Sequence, residues 1–285
     1  MRRLLRVFPR RTKATPIDDL AVVGEPGLFI PEFDEIHVSC TFTRDKPEAE
    51  RLAHLWRNYG EVEVGGPAFD AYGEDFVPGR YLKPGYVITS RGCWNHCWFC
   101  SVPKREGHLR QIPITEGWNV LDNNLLQLND DHVRSVFAML KRQHHRAEFT
   151  GGLEARLLRD WHIELLLDLN PKQVFFAYDT KDDYEPLVEA VQKLRAAGFP
   201  MPPKSHALRC YVLIGYIGDS LEGAQRRLQQ AIELGFTPMA MLWDECFKYL
   251  SHDNLSQWRK LQRHYARPAI IHAPVQEWPR GQKEQ

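Results

Sequence analysis

Two hydrophobic periods alternate along most of the chain. Short, continuously apolar runs such as residues 174–177 and 211–214 predict strands that are covered on both faces. Between such runs, apolar residues recur with helical spacing, as at Val133, Val136 and Phe137. The predicted strands start about 30 residues apart, which suits one strand, one helix and two loops per unit. These starts lie near Tyr86, Trp118, Ala147, Val174, Leu208 and Thr237.

The pattern before residue 80 is less regular. It predicts strands over residues 4–8, 36–42 and 61–64, with a helix over 48–59. Proline and glycine are then dense from 65 to 85, as expected of a domain junction. We therefore expect three regions, which are a small α/β region over 1–80, a core over 81–250, and a C-terminal helix and tail over 251–285.

Together these elements predict an α/β protein. About six βα units form a partial, TIM-like parallel barrel, preceded by the small α/β piece. In such an array every loop that follows a strand lies on one side, so functional residues are expected at the strands' C-terminal ends. A flat, doubly wound sheet has the same alternation and stays open as the alternative.

Composition and charge limit the class of protein. The chain has 285 residues, of which 43% are hydrophobic, so it can bury a core. Lysine plus arginine and aspartate plus glutamate number 37 each, which argues against a surface wholly devoted to nucleic acid. No apolar run is long enough to cross a bilayer and no signal-peptide pattern is visible, so a cytoplasmic protein without membrane contact is expected. A basic N-terminal cluster leaves RNA open as a partner, although a solvated face explains it as well; its members are Arg2, Arg3, Arg6, Arg10, Arg11 and Lys13.

Three of the six cysteines lie within eight residues, at Cys93, Cys97 and Cys100. A disulfide framework would leave one of them unpaired, so a cytoplasmic metal or cluster site fits better. A short C-x3-C-x2-C loop can wrap three thiolates around one iron–sulfur cube and leave one iron open. The alternatives are three structural cysteines, or a zinc site completed by His96. Buried apolar positions are expected for the remaining three, Cys40, Cys210 and Cys246.

The segment from Ser90 to Cys100, with Phe99 before the third cysteine, resembles the signature of the radical S-adenosylmethionine (SAM) superfamily. The resemblance covers roughly residues 81–250. It implies a [4Fe–4S] cluster on Cys93, Cys97 and Cys100, whose open iron binds the amino and carboxylate groups of SAM. In that family, reductive cleavage of SAM gives a 5′-deoxyadenosyl radical that abstracts hydrogen from the substrate.

A second resemblance follows the third predicted strand, at residues 150–154. There Gly151 and Gly152 are similar to the glycines of the family's GGE element, which lies against the SAM amino group. Glu154 stands one residue later than the family's glutamate, because Leu153 intervenes. The resemblance thus implies that the glycine backbone, and also Glu154, contact SAM.

Further cofactor contacts are implied at the ends of later strands. Asp179 stands where the family places groups that bind the ribose, although it can equally cap the next helix with Thr180. Arg209 opens a segment, 209–219, that is similar to the family's adenine-supporting strand, and it can pair with a carboxylate. Residues 122–124 face substrate or SAM, or else form a turn.

The sequence therefore predicts an enzyme of unidentified substrate, which could be a small molecule, a nucleotide or a peptide. The resemblance also implies an electron donor such as flavodoxin or ferredoxin. The N-terminal region resembles the degenerate cobalamin-domain-like region of some family members, but the D-x-H-x-x-G run is absent, so cobalamin is not expected. The alternative function is a non-catalytic redox sensor or scaffold that binds an iron–sulfur cluster or zinc.

Overall fold

The N-terminal region forms its own parallel sheet. A computed structural model of the chain describes residues 2–70, 76–249 and 251–266. In this region the strands pair in the order β2–β1–β3–β4, and α1 buries Leu52 and Trp56 against them. The elements are β1 (Leu4–Phe8), β2 (Ala21–Val23), β3 (Glu35–Ser39), α1 (Lys46–Trp56) and β4 (Val62–Gly65).

Several of the predicted boundaries in this region are wrong. The strand predicted over 36–42 ends at Ser39, because its partner strand β4 ends opposite it at Gly65, where the chain turns at Gly66 with a φ of +97°, and a 3-10 turn follows over Thr43–Asp45. The helix predicted over 48–59 begins two residues earlier, with Pro47 in its first turn, where the missing proline N–H has no helical partner to lose.

The larger part of the chain alternates strands and helices, as the hydrophobic periods predict. Helix starts follow local capping: the Asn129 side chain accepts from the His132 N–H at 2.8 Å, and Ser220 caps the Gly223 N–H at 3.0 Å. The elements are β5 (Tyr86–Val87), β6 (Ser90–Arg91), α2 (Val102–Arg105), β7 (Arg110–Gln111), β8 (Asn119–Val120), α3 (Asp130–Lys141), β9 (Glu148–Phe149), α4 (Asp160–Leu169), β10 (Gln173–Ala177), α5 (Tyr184–Ala196), β11 (Leu208–Ile214), α6 (Leu221–Glu233), β12 (Thr237–Leu242) and α7 (His252–Tyr265).

Six of these strands form one parallel sheet in the order β5–β8–β9–β10–β11–β12. The α/β class and the six predicted strand positions are therefore confirmed. Each strand lies beside the next one in the chain, so in the described residues the order lacks the reversal of a doubly wound sheet. The two edge strands are β5 and β12, and no pairing between them closes a barrel within the described part of the chain.

The two faces of this sheet differ. Phe176, Cys210 and Val212 point to the side where the helices pack, and each is fully buried. On the opposite side, Met239 and Met241 of β12 are 36% and 42% exposed. We call this second side the open face; the register of β10, β11 and β12 assigns to it Gln173, Phe175, Ala177, Arg209, Tyr211, Leu213, Thr237, Met239 and Met241. Of these, Phe175, Leu213 and Thr237 are buried.

The C-terminal helix belongs to the same core as the sheet. It packs along β12, and its Trp258 and Leu261 are buried in the main hydrophobic cluster. The rest of the predicted tail, residues 267–285, lies outside the described residues. Of the helices that are described, none has the length and apolar character needed to cross a membrane.

Only part of the basic N-terminal cluster forms the solvated face that the sequence predicts. Arg6 is buried in β1, where its guanidinium bonds Asp18 and the carbonyls of Gly79 and Arg80. Side-chain ion pairs also neutralise three exposed members; these pairs are Arg2–Glu35, Arg3–Glu32 and Arg10–Asp45.

Candidate cluster and cofactor site

The three candidate cysteines lie in one loop that is closed at its base. Strand β6, immediately before the loop, pairs antiparallel with β7, immediately after it. We call residues 92–109, between these strands, the cysteine loop. The loop opens at Gly92, which has a φ of +81°. A Cβ added at this position would lie 2.3 Å from the His108 carbonyl oxygen, so only glycine fits there.

A buried carboxylate fixes the entry to this loop. Asp122, just after β8, accepts from the Thr89 N–H at 2.7 Å and from the hydroxyls of Thr89 and Ser90 at 2.6 and 2.7 Å. Next to it, the Asn123 side chain accepts from the Gly92 N–H at 3.1 Å. Residues 122–124, predicted to face substrate or SAM or to form a turn, therefore hold the cysteine loop.

The GGE-like segment reaches the same loop. The Glu154 carboxylate accepts from three side-chain amides, those of Asn95, Asn124 and Gln127, at 3.0, 2.6 and 3.2 Å. Asn95 lies between the first two candidate cysteines, so the loop after β9 and the cysteine loop meet at the C-terminal edge of the sheet. A carboxylate with three donors is a strong tie because charge-assisted hydrogen bonds exceed neutral ones.

The two glycines before Glu154 serve different purposes. A Cβ on Gly151 would lie 2.3 Å from the Asp122 carbonyl oxygen, so this glycine allows the loops after β8 and β9 to pack backbone to backbone. Gly152 has a φ of +96°, which turns the chain toward Glu154. The atom nearest to a Cβ added at Gly152 is the Phe175 carbonyl oxygen, at 3.8 Å, so space remains beside this glycine.

The three thiols are half-buried and lie near one another. Burial, together with the neighbouring Cys100 and Cys93, raises the pKa of Cys97 to about 11. Burial also raises the pKa of Cys100. The Asn95 N–H donates to the Cys93 sulfur at 3.4 Å, as a backbone donor would to a thiolate.

The three thiols are donors suited to an iron–sulfur cube or to a zinc ion. A tetrahedral zinc ion takes all of its ligands on one centre, whereas a cube binds each thiolate on a separate iron. His96, proposed as the fourth zinc ligand, is exposed.

An aromatic cluster supports the far side of the cysteine loop. Trp98 lies edge-on to Tyr216 and Trp243, with ring centroids 5.5 and 5.8 Å apart, and edge-on to Phe99 at 5.3 Å. Tyr216 follows β11 and Trp243 follows β12. The loop thus contacts the C-terminal ends of the last two strands as well.

Asp179 lies at this edge of the sheet but does not cap the following helix. Thr180 and Asp183 form that capping box, whereas the Asp179 carboxylate accepts from the Leu213 N–H at 3.2 Å. Burial, together with the charge of Asp183, raises the pKa of Asp179 to about 7. The charge of Asp179 also raises the Cys97 pKa, which places it near the thiols.

Arg209 does not join these residues. It is the second residue of β11, and its Cα lies about 13 Å along the strand from that of Leu213. Its side chain belongs to the open face, and no carboxylate among the described residues pairs with it, contrary to the pairing considered from sequence.

Sequence reasoning missed several residues that hold this site together. It gave no role to Asn95 or Gln127, because amide side chains are common in any loop and carry no pattern. Trp98 was missed too, although its exposed fraction of 55% beside two cysteines is an unusual feature. The last three cysteines behave as predicted, since Cys40, Cys210 and Cys246 are all buried.

Comparison with known protein families and with curated proteins finds no match to this chain.

Proposed function

We propose that the chain is a radical SAM enzyme that carries a [4Fe–4S] cluster on Cys93, Cys97 and Cys100. The observation that carries the proposal is the hydrogen bond from Asn95 to Glu154. It joins the cysteine loop to the segment that resembles the SAM-binding GGE element. A cluster at the thiols and a nucleoside beside Gly152 would then be neighbours, as this chemistry requires.

The chain's own groups have defined tasks in this proposal. Three thiolates hold three irons, and the fourth iron is free for SAM, whose cleavage supplies a 5′-deoxyadenosyl radical when both groups are bound. Gly151 and Gly152 keep backbone close to the SAM amino group, while Phe99 and Trp98 exclude water from the cluster. Asp179, already bonded to one backbone N–H, accepts from a ribose hydroxyl through its other oxygen.

In this proposal the role of Glu154 differs from that of the glutamate in the family's GGE element. Its carboxylate is bonded to three amides, so it organises the cysteine loop whether or not it also receives the SAM ammonium. The displacement of this glutamate by one residue from the family's position accords with that use.

The proposal includes a partial barrel. Sequential parallel strands with helices against one face curl around the other face, and side chains of the open face are partly exposed in this chain. The lumen of the partial barrel would be the substrate site. Since acidic side chains neutralise much of the basic N-terminal cluster, we favour a small molecule, nucleotide or peptide over RNA. Electrons would come from a donor such as flavodoxin or ferredoxin.

Anaerobic reconstitution tests this function. The protein should bind about four irons and four sulfides, and a reductant plus SAM should yield 5′-deoxyadenosine. Cys93→Ala, Cys97→Ala and Cys100→Ala should each lose the cluster and the product. The matched control is Cys210→Ala, which removes a buried thiol on the helix-facing side of β11 and should retain both.

Three results would contradict the proposal in different ways. Stoichiometric zinc without sulfide would replace the cluster by a zinc site. A cluster that never produces 5′-deoxyadenosine would favour the sensor or scaffold. Equal loss of iron from Cys97→Ala and Cys210→Ala would mean that the ligands are misassigned.

A further inference from the structure

Arg209 on the open face carries a charge that the described chain does not neutralise. Its Nε is fully buried without a hydrogen-bond acceptor, and its guanidinium takes part in no ion pair among the described residues. Burial lowers the pKa of Arg209, and no acidic neighbour opposes the shift. An unpaired, half-buried cation is costly, so its presence calls for an explanation.

Two other buried arginines have their charge neutralised by the protein. The Nε of Arg227 also lacks an acceptor, but its terminal nitrogens bind both Asp219 oxygens, at 3.1 and 2.9 Å, and the Leu213 carbonyl at 2.8 Å. Arg6 binds Asp18 and several carbonyls. Each has an anion supplied by the protein, whereas Arg209 has none in the described residues.

The surroundings of Arg209 form a wall for an apolar or aromatic body. Phe175, its register neighbour on β10, stacks on Tyr211 with ring centroids 4.2 Å apart. The Tyr211 hydroxyl is fixed by donation to the Thr150 carbonyl at 2.9 Å, so this wall is rigid. Met239 and Met241 extend it toward β12 with partly exposed, adaptable side chains.

Few other charges face this side of the sheet. Within the six described strands, the register leaves Arg209 as the sole cation of the open face and Glu148 as its sole carboxylate. Glu148 is already paired with Lys172 at 2.8 Å and with Gln173. Arg209 therefore has no free carboxylate partner among the described strands.

We propose that the open face binds a small anionic substrate, whose carboxylate or phosphate pairs with Arg209 and whose apolar or aromatic body lies against Phe175 and Tyr211. This assignment rests on the proposed function only in calling the ligand a substrate. A planar guanidinium recognises either anion with two parallel hydrogen bonds. Because Arg209 lies about 13 Å along β11 from Leu213, and the thiols lie at the C-terminal edge beyond it, the reacting carbon and the anion stand at opposite ends of the ligand.

Binding of aromatic anions tests the assignment. Benzoate and phenyl phosphate would be titrated calorimetrically into the anaerobically reconstituted protein, with benzyl alcohol as the neutral analogue. Both anions should bind more tightly than the alcohol, and the tighter of the two identifies the natural anion. Arg209→Met should weaken anion binding by roughly 10- to 100-fold, and Arg209→Lys by less, because the charge remains but the fork is lost. Arg226→Met, which removes an exposed arginine paired with Glu222, should change nothing.

A second measurement separates ligand binding from a structural role. Urea unfolding of the metal-free protein should show Arg209→Met to be more stable than the natural chain, since the variant removes an uncompensated buried charge. A less stable variant, or anion affinities equal in the natural protein and Arg209→Met, would overturn the proposal. These assays need no radical chemistry, so the two proposals can fail separately. Arg209-dependent anion binding without 5′-deoxyadenosine formation would refute the enzyme function alone. Formation of 5′-deoxyadenosine without Arg209-dependent anion binding would refute the anion site alone.

Discussion

Three carboxylates at the C-terminal ends of neighbouring strands differ in the number of donors that they receive. Asp122 accepts three hydrogen bonds from Thr89 and Ser90, and Glu154 accepts three from side-chain amides. Asp179 receives one recorded bond, from the Leu213 N–H. Both oxygens of Asp122 are therefore used to hold the loop entry, whereas the three bonds to Glu154 all fall on Oε2, so Glu154 and Asp179 each retain acceptor capacity on one oxygen.

This deficit predicts a pH dependence for Asp179. Its folded pKa of about 7 exceeds the ordinary value of 3.8, so the folded state keeps a proton that the unfolded state releases. The stability of the metal-free protein should therefore fall as the pH rises from about 4 to 7. Asp179→Asn should flatten that fall and be more stable at pH 8 by about 2 kcal/mol. Urea unfolding at pH 5 and pH 8 measures both effects.

The control for this variant is Asp168→Asn, which changes an exposed aspartate paired with Lys141. It should keep the pH profile of the natural chain. A profile for Asp179→Asn that also matches the natural chain would mean that Asp179 titrates normally.

At the scale of elements, the cysteine loop is held at three separate places. Its base is closed by β6 and β7, its middle is tied through Asn95 to Glu154, and its far side packs through Trp98. These anchors come from four different strand ends, which no local sequence pattern encodes. Loops on parallel strands share an edge, so the meeting place was predictable, although the partners were not.

Trp98 is the anchor that a matched pair of variants can isolate. Trp98→Ala removes the ring contacts with Tyr216 and Trp243, so the loop should loosen and the reconstituted protein should lose iron several-fold faster in air. Trp94→Ala removes a tryptophan of the same loop that is 69% exposed, and it should have little effect. The measurement is the decay of the thiolate-to-iron absorption band, and equal decay rates would remove Trp98 as an anchor.

How far the sequence predicted the elements depends on the kind of signal. The six strands of the parallel sheet and α3 were predictable because buried faces impose a regular hydrophobic period. The end of β3 was not, since it depends on where its partner strand β4 ends, at Gly65. Asp179 and Thr180 illustrate the same limit, because both residue types cap helices and only the three-dimensional contacts distinguish them.

At the scale of the molecule, two hydrophobic cores are joined by polar contacts. One core lies under the N-terminal sheet and the other under the six-stranded sheet. Arg6 ties the N-terminal sheet to the segment that leads into the larger sheet, since it lies in β1 and binds the carbonyls of Gly79 and Arg80 ahead of β5. The sequence suggested a solvated role for Arg6 because charge alone does not show which side of a strand a residue faces.

Loss of this bridge should be costly. Arg6→Met leaves the Asp18 carboxylate and several carbonyls without their donor, so the free energy of unfolding should fall by roughly 2–4 kcal/mol. Arg3→Met, the control, breaks an exposed pair with Glu32 and should cost about 0.5 kcal/mol or less. Urea unfolding of the full chain compares the two, and similar losses would place Arg6 among ordinary surface arginines.

The closed base of the cysteine loop also bears on the order in which such a protein matures. Because β6 and β7 pair and Asp122 fixes the loop's entry, folding alone brings the three thiols to the sheet edge. The entropy of closing this loop is then lost during folding and not again when iron arrives. Under the proposed function, a newly made chain would wait as a folded apoprotein, accept a preassembled cluster in one step, and survive its loss to be recharged.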